Sequence, residues 1–161
     1  GEYIYKEADK MDMPEIERII RVNLEIPMYI ISKTLPYMKS QKWGRIINIG
    51  SISGVMGEAG ASIYSASKSG LIGMTKAIAL EVAQDNITIN TINPGWVETD
   101  LGLNSVEDSE FEKDEIVDCI PQRRFVEPKE IADMVKYLIS QEAKGVTGQS
   151  INLCAGLSVG Y

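Results

Sequence analysis

Helical and strand-like segments alternate along this chain, and that order leaves few folds open. From Pro14 to about Ser40 the apolar residues Ile16, Ile19, Ile20, Leu24, Met28, Ile31 and Leu35 follow helical spacing. After Gly44 comes a short, nearly continuous apolar run, Arg45 to Ile49, as expected of a parallel strand covered on both faces. A second helix opens at Ser62 or Ser65 and runs to about Gln84. Ile87 to Ile92 alternates β-branched and polar residues and reads as a strand. A third helix begins at Pro128 and extends through PKEIADMVKYLISQE, and GVTGQSINL, Gly145 to Leu153, gives a turn and a last strand. The expected architecture is α/β, a parallel sheet of about three strands with flanking helices. Pro27 and Pro36 predict a kink and a frayed turn in the first helix. Before it, Tyr3 to Tyr5 predict an extended arm.

Composition removes whole classes of chemistry. The chain of 161 residues contains no histidine, so Ser-His-Asp catalysis, Cys-His catalysis and histidine-ligated metals are excluded. Cys119 and Cys154 stand alone, without the spacing of a disulfide framework or a zinc site; Cys119 reads as an apolar helix-end residue and Cys154 as a strand end. A net charge of −7 argues against a nucleic-acid partner. No apolar run reaches the ~18 residues of a membrane span, and the first residues lack a signal pattern, so no membrane association and a cytoplasmic location are expected.

Proton transfer must then fall to tyrosine, lysine, carboxylate or water. The stretch from Asn48 to Lys68, NIGSISGVMGEAGASIYSASK, concentrates such groups. Tyr64 and Lys68 are four residues apart and share one helix face. An ammonium beside a phenol lowers the phenol pKa and lets it exchange a proton near neutral pH. Ser51, at the end of the preceding strand, is placed to present a hydroxyl to the same reacting atom, with Ser53 as its competitor. Asn93-Pro94-Gly95 is a turn at the end of the next strand. Ligands of parallel sheets bind at the C-terminal strand ends, so Gly50 and Asn93 point to one crevice. The small and apolar residues around Tyr64, Gly70 and Gly73 mark the helix as a packing face between subunits or inside its own domain.

These residues resemble the active-site segments of the short-chain dehydrogenase/reductase family. Ser51, Tyr64 and Lys68 match its serine, tyrosine and lysine in type and spacing. Asn23, in IIRVNLEIP, matches the asparagine that completes the tetrad by ordering a water, and INTINPGWVETDL matches the Pro-Gly segment. The likeness covers essentially the whole chain. It is greatest to 3-oxoacyl-acyl-carrier-protein reductases and related polyol and sugar dehydrogenases. The resemblance implies the C-terminal part of a Rossmann-like doubly wound sheet and an NAD(P)-dependent interconversion of ketone and secondary alcohol. It makes Tyr64 the acid/base and has Tyr64, Lys68, Pro94, Gly95, Val97 and Thr99 against a nicotinamide cofactor, NADP or NAD, with no metal. It also implies a small carbonyl or alcohol substrate, a homo-oligomer (dimer or tetramer), and a substrate lid in the acidic segment, expected as a solvated loop with a short helix.

Two departures accompany the match. No strand leads into a glycine-rich turn of the G-x-G-x-x-G type, and Gly1 falls where the family's Asn-Asn-Ala-Gly glycine would lie. The expectation is therefore one incomplete domain over residues 1–161. It leaves a second reading open, an inert fragment serving in oligomerisation. The tail carries Cys154-Ala155-Gly156 in place of the family's polar-Gly-Gly.

Overall fold

The computed structural model describes residues 1–107 and 112–159, with only the backbone of Glu107. Asp108 to Phe111 of the acidic segment, and Gly160 and Tyr161 of the tail, lie outside the described residues.

Three strands, β1 (Gly44–Ile49), β2 (Ile87–Pro94) and β3 (Ser150–Leu153), form a parallel sheet in that order. The register runs from Gly44 opposite Ile87 to Ile49 opposite Ile92, so β1 and β2 reach their C-terminal ends together. The expected parallel sheet is present. β2 runs two residues past the predicted Ile92, because Asn93 and Pro94 still pair with Asn152 and Leu153 of β3.

Every residue of β2 is buried, polar ones included. Asn90, Thr91 and Asn93 are hydrogen-bonded, while the buried Thr88 hydroxyl has no partner. Thr91 meets Thr75 at 2.8 Å, Asn90 donates to the Val146 carbonyl at 2.7 Å, and Asn93 donates to Ser150 and Asn152. One apolar cluster joins Ile87 and Ile89 to Ile31, Ile78, Ala79 and Val82 of two helices. A second gathers Ile116, Ile120, Phe125 and Val126, with Trp96 stacked on Phe125 at 5.8 Å between centroids.

The first helical stretch runs as α1 (Met13–Ile20), a widened π turn (Arg21–Glu25) and α2 (Ile26–Gln41). Asp12 and Glu15 form a capping box at its start, with Pro14 in the first turn. The irregularity predicted near Pro27 is this wide turn, just before the proline. Pro36 does not fray the helix, which continues to Gln41. The carbonyl that Pro36 fails to bond belongs to Ser32, an exposed residue that water reaches.

The helix carrying Tyr64, α4 (Ser62–Val82), follows a one-turn helix, α3 (Ser53–Met56). Where a loop with one short helix is expected, two short helices flank the undescribed residues: α5 (Asp100–Glu107) and α6 (Lys113–Cys119), which bury Ser105 and Ile116. The third predicted helix, α7 (Pro128–Leu138), stops before its predicted end at Glu142, where the chain turns to bury Ala143. Among the described residues no helix is long and apolar enough to cross a membrane.

Candidate active site

The site forms where β1 and β2 end side by side. Gly50 N–H donates to the Ile92 carbonyl at 2.7 Å and Ile52 N–H to the Pro94 carbonyl at 2.8 Å, tying the two strand-end loops together. A Cβ at Gly50 would stand 2.3 Å from Asn93 Oδ1, so the loops approach this closely only with glycine there. Behind them α3 lies directly on α4. A Cβ at Gly54 would lie 2.7 Å from the Lys68 backbone carbon, and Ser69 Oγ donates to the Gly54 carbonyl at 2.6 Å. The Ser51–Ser53 turn is thereby fixed against the helix that carries Tyr64 and Lys68.

A cavity of about 710 Å³ opens over this junction. Ser51, Ser53, Tyr64, Lys68, Pro94, Gly95, Val97 and Thr99 all line it. Asn23 does not. It is buried beside the cavity, where Nδ2 donates to the Glu2 carbonyl at 2.7 Å and Oδ1 accepts Glu2 N–H at 2.9 Å. Its Nδ2 also reaches Ser67 Oγ at 3.3 Å. The Asn23 side chain thus pins the N-terminal arm to α4. The carbonyl that Pro27 would have bonded in a regular α-helix is Asn23's own.

Lys68 is buried, and its Nζ donates to the Ile49 carbonyl at 3.0 Å while lying 5.5 Å from the Tyr64 ring centroid. Burial pulls its pKa down to about 8. Tyr64 differs from expectation. Burial pushes its phenol above the ordinary value; the Ser51 hydroxyl pulls it part of the way back; and Glu58 pushes it up. Lys68 does not provide the expected lowering. Its Nζ is turned to the Ile49 carbonyl and faces the ring, and its own charge is weakened by burial. Of the two candidate serines, Ser51 is the one that lowers the Tyr64 phenol pKa; Ser53 Oγ donates to Glu58 Oε2 at 2.5 Å.

On the opposite side Thr99 caps α5. Its carbonyl accepts Leu103 N–H at 2.8 Å and its hydroxyl accepts Gly102 N–H at 3.2 Å, which leaves the hydroxyl proton available to a ligand. Cys119 ends α6, as expected, but is exposed at the cavity rim, because Ile116 and Ile120 take the core positions. Cys154 directly follows β3 and is buried. Ala155 adopts φ 52° and Gly156 φ 90°, so the tail's departure from glycine puts an alanine in left-handed backbone. Among the described residues no group of three or more acidic or cysteine side chains is gathered as a metal site.

Sequence reasoning missed Tyr3 and Glu58. Tyr3 OH donates to Glu58 Oε1 at 2.6 Å, and the Tyr3 ring meets the Tyr64 ring edge to face at 5.0 Å. Fifty-five positions separate the pair, and no spacing connects them. The only trace is the turn chemistry of Gly57 and Gly60, both at positive φ, which folds Glu58 inward.

A serine, tyrosine and lysine converging at the C-terminal ends of parallel strands define a class of dehydrogenase, and the sequence comparisons agree. Residues 3–158 match the family model described as enoyl-(acyl carrier protein) reductase, and the chain belongs to the short-chain dehydrogenase/reductase family. It is 41% identical over 149 residues to nodulation protein G of Azospirillum brasilense, covering 92% of this chain and 59% of that protein. It is 42% identical to an uncharacterized oxidoreductase of Bacillus subtilis, covering 87% of this chain and 58% of that protein. It is 40% identical to the 3-oxoacyl-[acyl-carrier-protein] reductase of Buchnera aphidicola, covering 91% and 59%. The chain thus spans somewhat under two thirds of the length of these relatives.

Proposed function

We propose that this chain forms the catalytic part of an NAD(P)-dependent oxidoreductase that interconverts a ketone and a secondary alcohol, with a 3-oxoacyl thioester as the preferred substrate class. The observation that carries the proposal is the convergence of Tyr64, Ser51 and Lys68 on one cavity at the strand ends, with Lys68 Nζ 5.5 Å from the Tyr64 ring centroid. In this reading Tyr64 gives or takes the hydroxyl proton and Ser51 holds the substrate oxygen. Ile52, Met56, Trp96, Val97, Leu101 and Ile116 make much of the cavity wall apolar, which favours an acyl chain over a polyol. Several relatives carry the printed name 3-oxoacyl-[acyl-carrier-protein] reductase.

The residues fit the nicotinamide end of a dinucleotide. Thr99 has a hydroxyl proton to donate, and Lys68 keeps ammonium protons beyond the one given to Ile49. Tyr64, Lys68, Pro94, Gly95, Val97 and Thr99 would hold that end, and the cofactor when bound supplies or accepts the hydride. Within these residues no glycine-rich turn stands ready for the pyrophosphate, which keeps the inert, oligomerising reading alive. Exposed Ile26, Met28, Tyr29, Ile30 and Tyr37 on α2, and Leu80 on α4, support assembly with further copies. The reading assumes a cytoplasmic enzyme acting on a small molecule.

Fluorescence titration with NADH and NADPH tests it. Saturable binding, weakened by Lys68→Met, supports the catalytic reading. Absence of binding to the folded chain supports the oligomerising one.

A further inference from the structure

The cavity wall carries a fixed negative charge that the Ser-Tyr-Lys chemistry does not use. Both oxygens of Glu58 accept hydrogen bonds, Oε1 from Tyr3 OH at 2.6 Å and Oε2 from Ser53 Oγ at 2.5 Å. Accepting on both oxygens is the bonding of an ionised carboxylate. The turn that carries Glu58 is in turn clamped by the N-terminal arm. Lys6 N–H donates to the Gly60 carbonyl at 2.6 Å, and a Cβ at Gly60 would stand 2.4 Å from the Tyr5 ring. A long, flexible side chain is thereby held in one place, partly exposed at the cavity wall.

The bonds also place this charge relative to the reacting atoms. Ser53 Oγ accepts from Ser51 Oγ at 3.1 Å, so two hydrogen bonds separate Glu58 Oε2 from the hydroxyl that holds the substrate oxygen in the proposed reaction. Much of the surrounding wall is apolar, with Ile52, Met56, Trp96 and Val97. Among the described residues of the lining, the other charged side chains are bonded elsewhere. Glu115 is exposed and accepts Glu112 N–H at 3.0 Å at the start of α6, and Lys68 is buried with Nζ on the Ile49 carbonyl.

We propose that Glu58 is a specificity-determining residue: a fixed carboxylate that turns away substrates bearing a free carboxylate beside the reacting carbonyl and admits their neutral thioesters, esters and amides. This rests on the acyl-chain reading of the cavity and sharpens it. A free 3-oxo acid carries its carboxylate one methylene from the ketone. With the ketone oxygen at Ser51, that group is brought toward Glu58. Two carboxylates in an apolar cavity lose water and repel each other. Joining the same acid to a thiol or an amine removes the charge, and the penalty goes with it. The discrimination comes from repelling the wrong substrate, so it asks for no added contact to the right one. Tyr3 and Ser53 serve it by holding the carboxylate in place.

Ligand binding tests this without turnover. Trp96 lines the cavity and reports its occupancy by fluorescence, and a Trp43→Phe background removes the chain's other tryptophan. Octanamide and octanoate are the probes, matched in chain length and different in charge. At neutral pH the native cavity should bind octanamide roughly tenfold more tightly than octanoate. Glu58→Gln should tighten octanoate roughly tenfold and leave octanamide within about twofold, while Glu58→Asp, which keeps the charge, keeps the native preference. A ratio unmoved by Glu58→Gln would overturn the filter. So would an equal loss of preference in Glu58→Gln and Glu58→Asp, both folded by circular dichroism, since packing and not charge would then be the cause. If octanamide does not bind at all, the acyl-chain reading fails and the filter with it. If octanamide binds and octanoate binds equally well, the filter alone has failed.

Discussion

Two walls of the same cavity each present a tyrosine, and their neighbours make them different tools. The α4 wall is rigid: Tyr64 and Lys68 sit one turn apart on a long helix, and α3 packs on that helix closely enough that Gly54 has no room for a Cβ. The opposite wall is built from chain without regular structure, Tyr3 and Tyr5 from the N-terminal arm and Glu58 from the Gly57–Gly60 turn. It is held by side-chain contacts and the Lys6 N–H to Gly60 carbonyl bond of 2.6 Å. Burial pushes both phenols up. For Tyr64 a serine hydroxyl opposes the push, whereas for Tyr3 the Glu58 carboxylate adds to it. Tyr3 is thereby locked as a neutral donor, and only Tyr64 is left adjustable. Tyrosine content says nothing about which phenol does chemistry; the partner's charge decides it.

The largest expected effect breaks the symmetry directly. Tyr64→Phe keeps the ring that packs on Tyr3 but removes the proposed proton carrier, so kcat should fall by roughly 10²–10⁴-fold with the fold unchanged. Tyr3→Phe should change kcat only a few-fold. Steady-state assays of the two variants check the contrast, and comparable losses in both would refute it.

Lys68 sharpens the electrostatics of the rigid wall. Its pKa in the fold is about 8, against 10.5 for the free side chain. Below pH 8 both folded and unfolded chains carry the charge, and the fold bears a burial cost of about 3 kcal/mol. Between pH 8 and 10.5 the unfolded chain still binds the proton and the folded one has released it, so stability rises with pH. Urea unfolding at pH 7 and pH 10 should show the native protein gaining on Lys68→Met by an amount of that order. Parallel curves would show that Lys68 titrates normally.

Gly54→Ala tests how tightly the rigid wall is set. The added Cβ meets Lys68 backbone and side-chain carbon at 2.7 Å, so α3 must move off α4, at a cost of about 1–3 kcal/mol. Thermal unfolding would register it. Gly73→Ala, on α4 and with open space around its Cβ position, is the matched control.

Much of the rigid wall was legible in the sequence because each part is local. Strand β1 is an apolar run, Tyr64 and Lys68 lie within one helical turn, and Ser51 closes the strand. The level ends of β1 and β2 followed from βα alternation. What sequence spacing could not supply was orientation. It put Lys68 beside Tyr64, but not the Ile49 carbonyl that turns Nζ onto the ring face, so the sign of the Tyr64 shift came out reversed. Asn23 is legible only through its match to the tetrad asparagine, whereas its contact with Glu2 needs the arm to fold back across 21 positions. Pro36 predicts a frayed turn, because spacing alone does not reveal that Ser32, whose carbonyl loses its partner, lies exposed to water.

The irregular wall was nearly invisible for the same reason, and it sets up the smallest test. Tyr3 and Glu58 meet only through tertiary folding, in a loop whose one local signal is two glycines. Removing the Tyr3 hydroxyl deletes one hydrogen bond to a carboxylate that is partly exposed, so Tyr3→Phe should cost only about 1 kcal/mol at pH 7. Burial first and the Glu58 hydrogen bond second raise the Tyr3 pKa, and the pH dependence reads the two together. The fold holds the Tyr3 proton well above the ordinary phenol range, so beyond pH ~10 the unfolded chain loses that proton and the folded chain keeps it. Folding then loses stability as pH rises, in the native protein but not through this site in Tyr3→Phe. The gap between the two should close from pH 9 to pH 11 in denaturant titrations, with the Tyr64 contribution common to both. A gap that stays constant would mean that Tyr3 is held by its ring against Tyr64 and not by Glu58, and the carboxylate would then be free to serve Ser53 alone.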